Sequence, residues 1–142
     1  GESDIIMVHD GARPFIDPDI LEGARECAGI HGCAIVSMPV KDTIRITDES
    51  GHVISTPKRN NVLKMQTPQV FEFEKIKAAY TELIKNEDRL LRDGVMITDD
   101  AMVMETFGDI DISFSKGSYS NIKITTPEDL LIGEALIKQG NI

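Results

Sequence analysis

The segment Val8-His9-Asp10-Gly11-Ala12-Arg13-Pro14-Phe15 constrains the fold of this chain most, because it places an acid, a base and a glycine directly after an apolar run. That run, Asp4-Ile5-Ile6-Met7-Val8, is typical of a short strand. In open α/β sheets, ligands bind outside the carboxyl ends of the strands. The segment therefore predicts one edge of a ligand site close to the N-terminus, and we expect the chain to begin in the middle of a domain.

Helix and strand patterns alternate along the rest of the chain. Asp17 and Pro18 predict the start of a helix that runs to about Ala28, and 32–38 is a continuous apolar strand. The later predictions are strands at 62–66, 111–116 and 121–125, a turn at 67–69, a helix marked by Phe71, Ile76, Tyr80, Leu83 and Ile84, a helix capped by Thr98 and closed by Gly108, and a last helix from Thr126. This order predicts an α/β fold with one inserted hairpin.

The inserted hairpin is predicted from two alternating stretches, 43–47 and 52–56, around the turn residues Asp48-Glu49-Ser50-Gly51. It contains too few apolar residues to cover itself, so we expect a projecting arm over residues 39–59. No internal domain boundary is predicted, and the whole of 1–142 is assigned to a single domain.

Composition excludes several classes of protein. Asp and Glu number 24 against 15 Lys and Arg, and a net charge of −9 would repel a polyanion, so no nucleic-acid surface is expected. A small phosphorylated ligand needs only a few converging cations and is compatible with this charge. No window approaches the ~20 apolar residues of a membrane span, so we expect a soluble cytoplasmic protein. Cys27 and Cys33 lack metal-site spacing and are predicted to be buried reduced thiols.

Two of the polar clusters have both a structural and a functional interpretation. Asp10 and Arg13 form either a local ion pair in a turn or a site for metal or phosphate, which Gly11 would let a ligand approach closely. Lys123 is either a solvated side chain or a phosphate-binding lysine at the end of a strand. His9 receives no role.

The acidic pair Asp99 and Asp100 is better explained by the helix dipole than by a paired-carboxylate site, because acids are favoured in the first turn of a helix. Thr98 can both cap that helix and offer its hydroxyl to a ligand.

Taken in order and spacing, these clusters resemble the 2-C-methyl-D-erythritol 4-phosphate cytidylyltransferase family, and the resemblance covers essentially the whole chain. The residues that carry it are Val8-His9-Asp10-Gly11-Ala12-Arg13-Pro14-Phe15, Pro39-Val40-Lys41-Asp42-Thr43, Arg59 ahead of Gln66-Thr67-Pro68-Gln69, Thr98-Asp99-Asp100-Ala101, and Asn121-Ile122-Lys123-Ile124-Thr125. We accordingly expect a Rossmann-like, mostly parallel sheet with helices on both faces and a β-hairpin arm.

The resemblance implies nucleotidyl transfer from CTP to a polyol phosphate, with catalytic roles for Asp10, Arg13, Arg59 and Lys123. Asp10 would hold Mg²⁺ on the triphosphate, and Lys123 would neutralise charge at the reacting phosphate. The substrate-binding residues that it implies are Thr43, Thr67 and Thr98, with Arg13, Thr67 and Thr98 lining the polyol phosphate site. Thr43 and Arg59, at the two ends of the arm, would reach the site of a neighbouring subunit in a homodimer.

The family opens with a strand and a glycine-rich loop that grips the triphosphate, and no such segment precedes Gly1. We therefore expect the C-terminal portion of a nucleotidyltransferase domain that is inactive alone. Ribitol-5-phosphate cytidylyltransferase, which has the same chemistry, is an alternative, and a non-catalytic dimerisation module is a second. A dinucleotide-dependent oxidoreductase is disfavoured because no G-x-G-x-x-G follows a strand.

Overall fold

A computed structural model describes residues 4–140 as a four-stranded sheet with helices on both faces and a separate two-stranded hairpin. The strands are β1 (Ile5–Val8), β2 (Cys33–Pro39), β3 (Ile46–Thr47), β4 (Val53–Ser55), β5 (Leu63–Glu72) and β6 (Phe114–Lys116). The helices are α1 (Pro18–His31), a 3₁₀ turn at Arg59–Asn61, α2 (Phe73–Arg92), α3 (Asp100–Phe107) and α4 (Pro127–Lys138). This confirms the α/β class and the inserted hairpin.

The main sheet has the order β1-β5-β2-β6. β5 pairs antiparallel with both β1 and β2, and β2 pairs parallel with β6. Three of the four strands therefore run in one direction, but two of the three pairings are antiparallel. The expectation of a mostly parallel sheet is therefore correct for the direction of the strands. It is wrong for their pairing, because β5 lies between β1 and β2 and runs antiparallel to both.

Alternation along β2 sends successive side chains to opposite faces and builds a core on each face. Ala34 and Val36 pack under α1, whereas Cys33 and Ile35 pack under α2 and α3. β5 contributes to both cores in the same way, with Val70 on the α1 side and Phe71 on the other. The sheet is therefore covered on both faces.

Several helix ends follow the sequence closely. Asp17 caps α1 by accepting a hydrogen bond from the backbone N–H of Asp19, with Pro18 in the first turn. Thr126 and Asp129 form a capping box at the start of α4. Gly108 closes α3, as predicted, but the residue that caps this helix is Asp99 rather than Thr98. The Asp99 carboxylate accepts from the N–H of Met102.

The predicted turn at 67–69 is wrong, because β5 continues through Thr67 and a cis Thr67–Pro68 bond to Glu72. Proline interrupts the ladder locally, and the pairing register between β2 and β5 shifts at this point. Burial of Val70 and Phe71 between two strands keeps the segment extended. Phe71 therefore lies in the strand, and α2 begins only at Phe73.

The predicted strand at 121–125 is also wrong. Its backbone makes local bonds from Asn121 N–H to Ser118 and from Ile122 N–H to Ser120, and a single bond from Ile124 N–H to Ala12. These bonds hold an irregular loop instead of a sheet ladder. Three strands are shorter than predicted: β6 covers only Phe114–Lys116 of 111–116, and both hairpin strands are shorter than 43–47 and 52–56.

Cys33 is buried and Cys27 is only half-buried, and both thiols are reduced. The burial expected for Cys27 is therefore incomplete. No helix within residues 4–140 is long and apolar enough to cross a membrane.

Two glycines give a matched test of this packing. Gly29→Ala in α1 adds a methyl group that meets no atom within 4 Å, so it should raise the free energy of unfolding by roughly 0.5–1 kcal/mol. Gly108→Ala would place its Cβ 2.5 Å from the backbone oxygen of Met104. This substitution should lower the free energy of unfolding by roughly 1–3 kcal/mol. Chemical denaturation measures both, and equal effects of the two substitutions would contradict the close approach at the end of α3.

Candidate active site

The Asp10 carboxylate lies just beyond the end of β1, where it contacts two cations. Its Oδ2 atom is 3.3 Å from Arg13 Nε and 3.2 Å from Lys123 Nζ. Burial alone raises the pKa of Asp10, but hydrogen bonds and charge from Lys123 and Arg13 outweigh it and hold that pKa below its ordinary value of 3.8. Asp10 and Arg13 are three residues apart in the sequence, and the fold brings the distant Lys123 to them.

Arg13 and Lys123 differ in how firmly they are held. Arg13 is 8% exposed, and its Nη1 donates to the backbone oxygen of Asn121 at 2.8 Å. The side chain of Lys123 is 48% exposed and contacts Asp10 alone among the charged groups of the described chain. The contact between Asp10 and Arg13 confirms the local ion pair, and the metal or phosphate site stays a prediction.

Thr67 connects β5 to the end of β1. Its hydroxyl accepts from the N–H of Asp10 at 3.0 Å and lies 2.9 Å from His9 Nδ1. His9 Nε2 lies 3.0 Å from the backbone oxygen of Arg13. Because that oxygen can only accept, Nε2 donates to it, and Nδ1 accepts from the Thr67 hydroxyl when it carries no proton. His9 thus gains a structural role that the sequence did not assign.

The start of α3 forms another wall of the site. Gln69 is buried, and its side chain donates to Asp99 Oδ2 at 2.8 Å while accepting from the N–H of Ala101 at 2.9 Å. Tyr80 donates to the Asp100 carboxylate. Burial and this acidic partner raise the pKa of Tyr80 to about 12. Both acids at the start of α3 are thus bound within the chain, which agrees with the capping interpretation.

Thr98 precedes this cap, and its hydroxyl lies 3.2 Å from the sulfur of Met102. Thioether sulfur is a weak acceptor, so this contact leaves the hydroxyl available for a stronger partner. Thr98 does not cap the helix, and the offer of its hydroxyl to a ligand stays a prediction.

These groups surround an open pocket of about 250 Å³. It is lined by Val8, Asp10, Arg13, Met65, Gln66, Thr67, Gln69, Thr98, Asp99, Asp100 and Lys123. Five of the seven residues predicted for the site therefore lie in one place. Arg13 and Lys123 supply positive charge at one side of the pocket, where a phosphate group can bind.

Thr43 and Arg59 do not line this pocket. Both lie in the exposed arm region, and Arg59 donates from Nη1 to the backbone oxygen of Lys41 at 3.1 Å. The fold therefore separates the two ends of the arm from Asp10 of the same chain.

The donor set at Asp10 fits a divalent metal only in part. No group of three or more His, Cys, Asp or Glu side chains that could hold a metal occurs in residues 4–140. Both cations contact Oδ2 of Asp10, so Oδ1 is available as one ligand. Mg²⁺ is commonly bound by one or two carboxylates together with substrate phosphates and waters. The site therefore fits a metal that arrives with a phosphorylated ligand.

Comparison with known proteins identifies close relatives. The model of the family described as 2-C-methyl-D-erythritol 4-phosphate cytidylyltransferase matches residues 1–139. A curated protein of that name from Alkaliphilus oremlandii is 43% identical over 134 residues, which are 94% of this chain and 53% of the relative. Another from Clostridium botulinum strain Eklund 17B is 44% identical, covering 96% of this chain and 58% of the relative.

Solved structures agree with the sequence comparison. A 4-diphosphocytidyl-2C-methyl-D-erythritol synthase from Anaerococcus prevotii superposes with a TM-score of 0.84 at 32% identity, covering 94% of this chain and 58% of that one. A 2-C-methyl-D-erythritol 4-phosphate cytidylyltransferase from Thermus thermophilus gives 0.75 at 28% identity, covering 94% and 62%. The chain thus spans little more than half the length of the relatives that it matches.

The Asp10 cluster makes a prediction about acid titration. Lys123→Met should raise the pKa of Asp10, because it removes a hydrogen bond and a positive charge that favour the carboxylate. A carboxylate with a lowered pKa stabilises the folded state above 3.8 and loses that contribution as the pH falls through its folded pKa. The stability lost on acidification below 3.8 should therefore be smaller in the variant.

Carboxyl-carbon NMR titration of Asp10 measures this shift directly. Lys138→Met is the matched control, because Lys138 Nζ pairs with Glu134 at 3.8 Å and not with Asp10. An Asp10 pKa that is unchanged by Lys123→Met would show that the two side chains do not interact in solution.

Proposed function

Since the chain belongs to the 2-C-methyl-D-erythritol 4-phosphate cytidylyltransferase family, we propose that its pocket is part of the active site of an enzyme that transfers CMP from CTP to 2-C-methyl-D-erythritol 4-phosphate. The observation that carries the proposal is the convergence of Arg13 and Lys123 on Asp10 beyond the end of β1. The proposal concerns the complete protein, because the chain covers 53–58% of the first curated relatives. That the enzyme works in the cytoplasm remains a prediction from the sequence.

In the proposed reaction, a phosphate oxygen of the acceptor attacks the α-phosphorus of CTP. The bond from that phosphorus to the bridging oxygen breaks, and pyrophosphate leaves with the electron pair. Such a step requires little covalent chemistry from the protein, so its catalysis depends on positioning and on charge stabilisation.

Lys123 is suited to neutralise charge at the reacting phosphate. Its side chain is half-exposed, and it contacts Asp10 only through Nζ and Oδ2. Because the ammonium group is not buried, it can turn from Asp10 to a phosphate oxygen at little cost. Arg13 is fixed by Asp10 and by the Asn121 carbonyl through Nε and Nη1. Its Nη2 has no partner among residues 4–140 and is the donor that we assign to the acceptor phosphate.

Thr67 and Thr98 line the same pocket and complete the proposed polyol phosphate site. The Thr67 hydroxyl already joins His9 to Asp10, so its main contribution is to orient Asp10. Asp10 would hold Mg²⁺ together with phosphate oxygens, and the ion would neutralise charge on the triphosphate.

The transfer is tested on the complete protein by pyrophosphate release with CTP, Mg²⁺ and each of two acceptors, 2-C-methyl-D-erythritol 4-phosphate and ribitol 5-phosphate. We expect turnover with the first. Turnover with the second alone assigns the alternative activity, and binding without turnover on either favours the non-catalytic module.

Lys123→Ala should lower kcat on the order of 10²-fold or more, because it removes a charge contact made chiefly in the transition state. Steady-state kinetics of the complete enzyme measure the effect. Lys138→Ala, which alters an exposed pair on α4, is the control and should leave kcat unchanged. A near-normal kcat in Lys123→Ala would assign Lys123 to the solvated surface.

We also propose a homodimer in which the arm completes the site of the partner subunit. Ile46, Val53 and Ile54 of the arm are at least half exposed, and an isolated two-stranded hairpin is marginally stable at best. Thr43 and Arg59 lie outside the pocket of their own chain, which leaves them available for another site.

Subunit exchange tests the shared site. Inactive Arg59→Ala and Asp10→Asn protomers of the complete enzyme should regain activity when mixed, because one site of each heterodimer has an intact Asp10 and an intact Arg59 from its partner. Random pairing sets a ceiling of about a quarter of wild-type activity. Mass spectrometry confirms exchange, and exchange without recovered activity would exclude this arrangement.

A further inference from the structure

Two buried polar side chains, Gln66 and Asn121, lie behind the charged cluster. Gln66 is 4% exposed and the side chain of Asn121 is completely buried. They occupy β5 and the loop that carries Lys123, and neither has a predicted role. Buried amides are costly unless their hydrogen bonds are satisfied, so their contacts indicate what they are retained for.

Asn121 joins the loop to β5 and to Arg13. Its Nδ2 donates to the backbone oxygen of Thr67 at 2.8 Å. Its own backbone oxygen accepts from Arg13 Nη1 at 2.8 Å and from Gln66 Nε2 at 3.3 Å. The side chain of Asn121 thus fixes the carbonyl group that holds the buried guanidinium.

Gln66 fixes the same loop at a second point. Its Nε2 donates to the backbone oxygen of Ser118 at 2.7 Å, and its Oε1 accepts from the Ser118 N–H at 3.3 Å. The loop approaches so closely that a Cβ atom on Gly117 would lie 2.2 Å from Gln66 Oε1. Only glycine permits this contact without displacement of the glutamine or the loop.

Stability alone does not explain Asn121. Its Oδ1 atom is buried without a hydrogen-bond partner among the described residues, and an unpaired carbonyl oxygen disfavours the folded state. Asn121 therefore donates a hydrogen bond from Nδ2 but leaves Oδ1 buried and unpaired, a free-energy cost that an apolar side chain would avoid. Its hydrogen bond to Thr67 instead fixes the position of the backbone two residues before Lys123.

We propose that Gln66 and Asn121 are positioning residues, which set the 117–124 loop so that Arg13 and Lys123 both contact Asp10. This inference rests on the proposed transfer for its kinetic consequence, but its geometric consequence is independent of any activity. Gln66 also lines the pocket, whereas Asn121 does not, and the role that we assign to both amides acts through Arg13 and Lys123.

The test uses Gln66→Met and Asn121→Ala in the complete enzyme. Both remove the hydrogen bonds, and Gln66→Met keeps the length of the side chain. Displacing a catalytic group by about 1 Å can cost on the order of 10²-fold in rate, so we expect kcat to fall by about that factor. The KM for the acceptor should rise as well, because Arg13 is displaced.

Ile20→Ala is the matched control. Ile20 is buried in the core under α1 and does not line the pocket, so this variant should lose stability while each folded molecule keeps its kcat and KM. Unchanged kinetics in both folded amide variants would overturn the proposal. If Asn121→Ala does not fold, Gln66→Met decides the outcome.

Crystal structures of the variants separate this inference from the proposed function. We expect the Lys123 Nζ to Asp10 Oδ2 and Arg13 Nη1 to Asn121 oxygen distances to lengthen. If both distances stay at the values of the parent protein, the positioning role is wrong whether or not the enzyme transfers CMP. A wild-type enzyme without transfer activity would overturn the proposed function and leave the geometric test in place.

Discussion

The antiparallel pairing of β5 with β1 on one side and β2 on the other is the constraint on which the rest of this structure depends. Buried Val70 and Phe71 anchor the strand in the two cores. With these residues fixed, the strand must present Gln66, Thr67 and Gln69 at the ends of its neighbours. A shift of one residue would send Val70 and Phe71 to the opposite faces of the sheet, so the two cores and the candidate site are specified by the same register.

Three polar residues of β5 each bind a different segment. Thr67 holds the end of β1 through the N–H of Asp10, Gln69 holds the start of α3, and Gln66 holds the loop that leads to Lys123. The bonds are short-range and directional, whereas the apolar contacts below them are not. The hydrophobic cores stabilise the sheet, and the hydrogen bonds of one strand decide which loops meet above it.

The charged residues of the site could be predicted from the sequence better than Gln66 and Asn121, the buried amides that hold the loop carrying Lys123. Asp10 and Arg13 follow a recognisable strand, and Lys123 belongs to a motif that matches the family. Gln66 and Asn121 belong to motifs of the same resemblance. Their burial could not be predicted, because an exposed amide and a buried one look alike until the chain segments that satisfy them are known.

The errors in the fold share a physical cause. Pro68 favours a turn at 67–69 in the sequence, but the two flanking strands and the burial of Phe71 outweigh that local preference. The alternation in 121–125 resembles a strand, yet the N–H groups of Asn121 and Ile122 bond within the loop and that of Ile124 makes a single bond to Ala12, so no sheet ladder forms. Local patterns identified the elements whose ends carry capping residues, such as α1 and α4, and failed where long-range pairing decides.

The charged cluster combines a rigid cation with a movable one. Burial raises the pKa of Asp10, and the hydrogen bonds and charges of Lys123 and Arg13 lower it by more, so the carboxylate form is favoured. Arg13 is buried and bonded at two nitrogens, so removing it would leave Asp10 and a backbone carbonyl without their partner. Lys123 is half-exposed, so water can replace its contact with Asp10 at little cost. An anionic ligand can therefore draw Lys123 away while Arg13 keeps Asp10 ionised and in place.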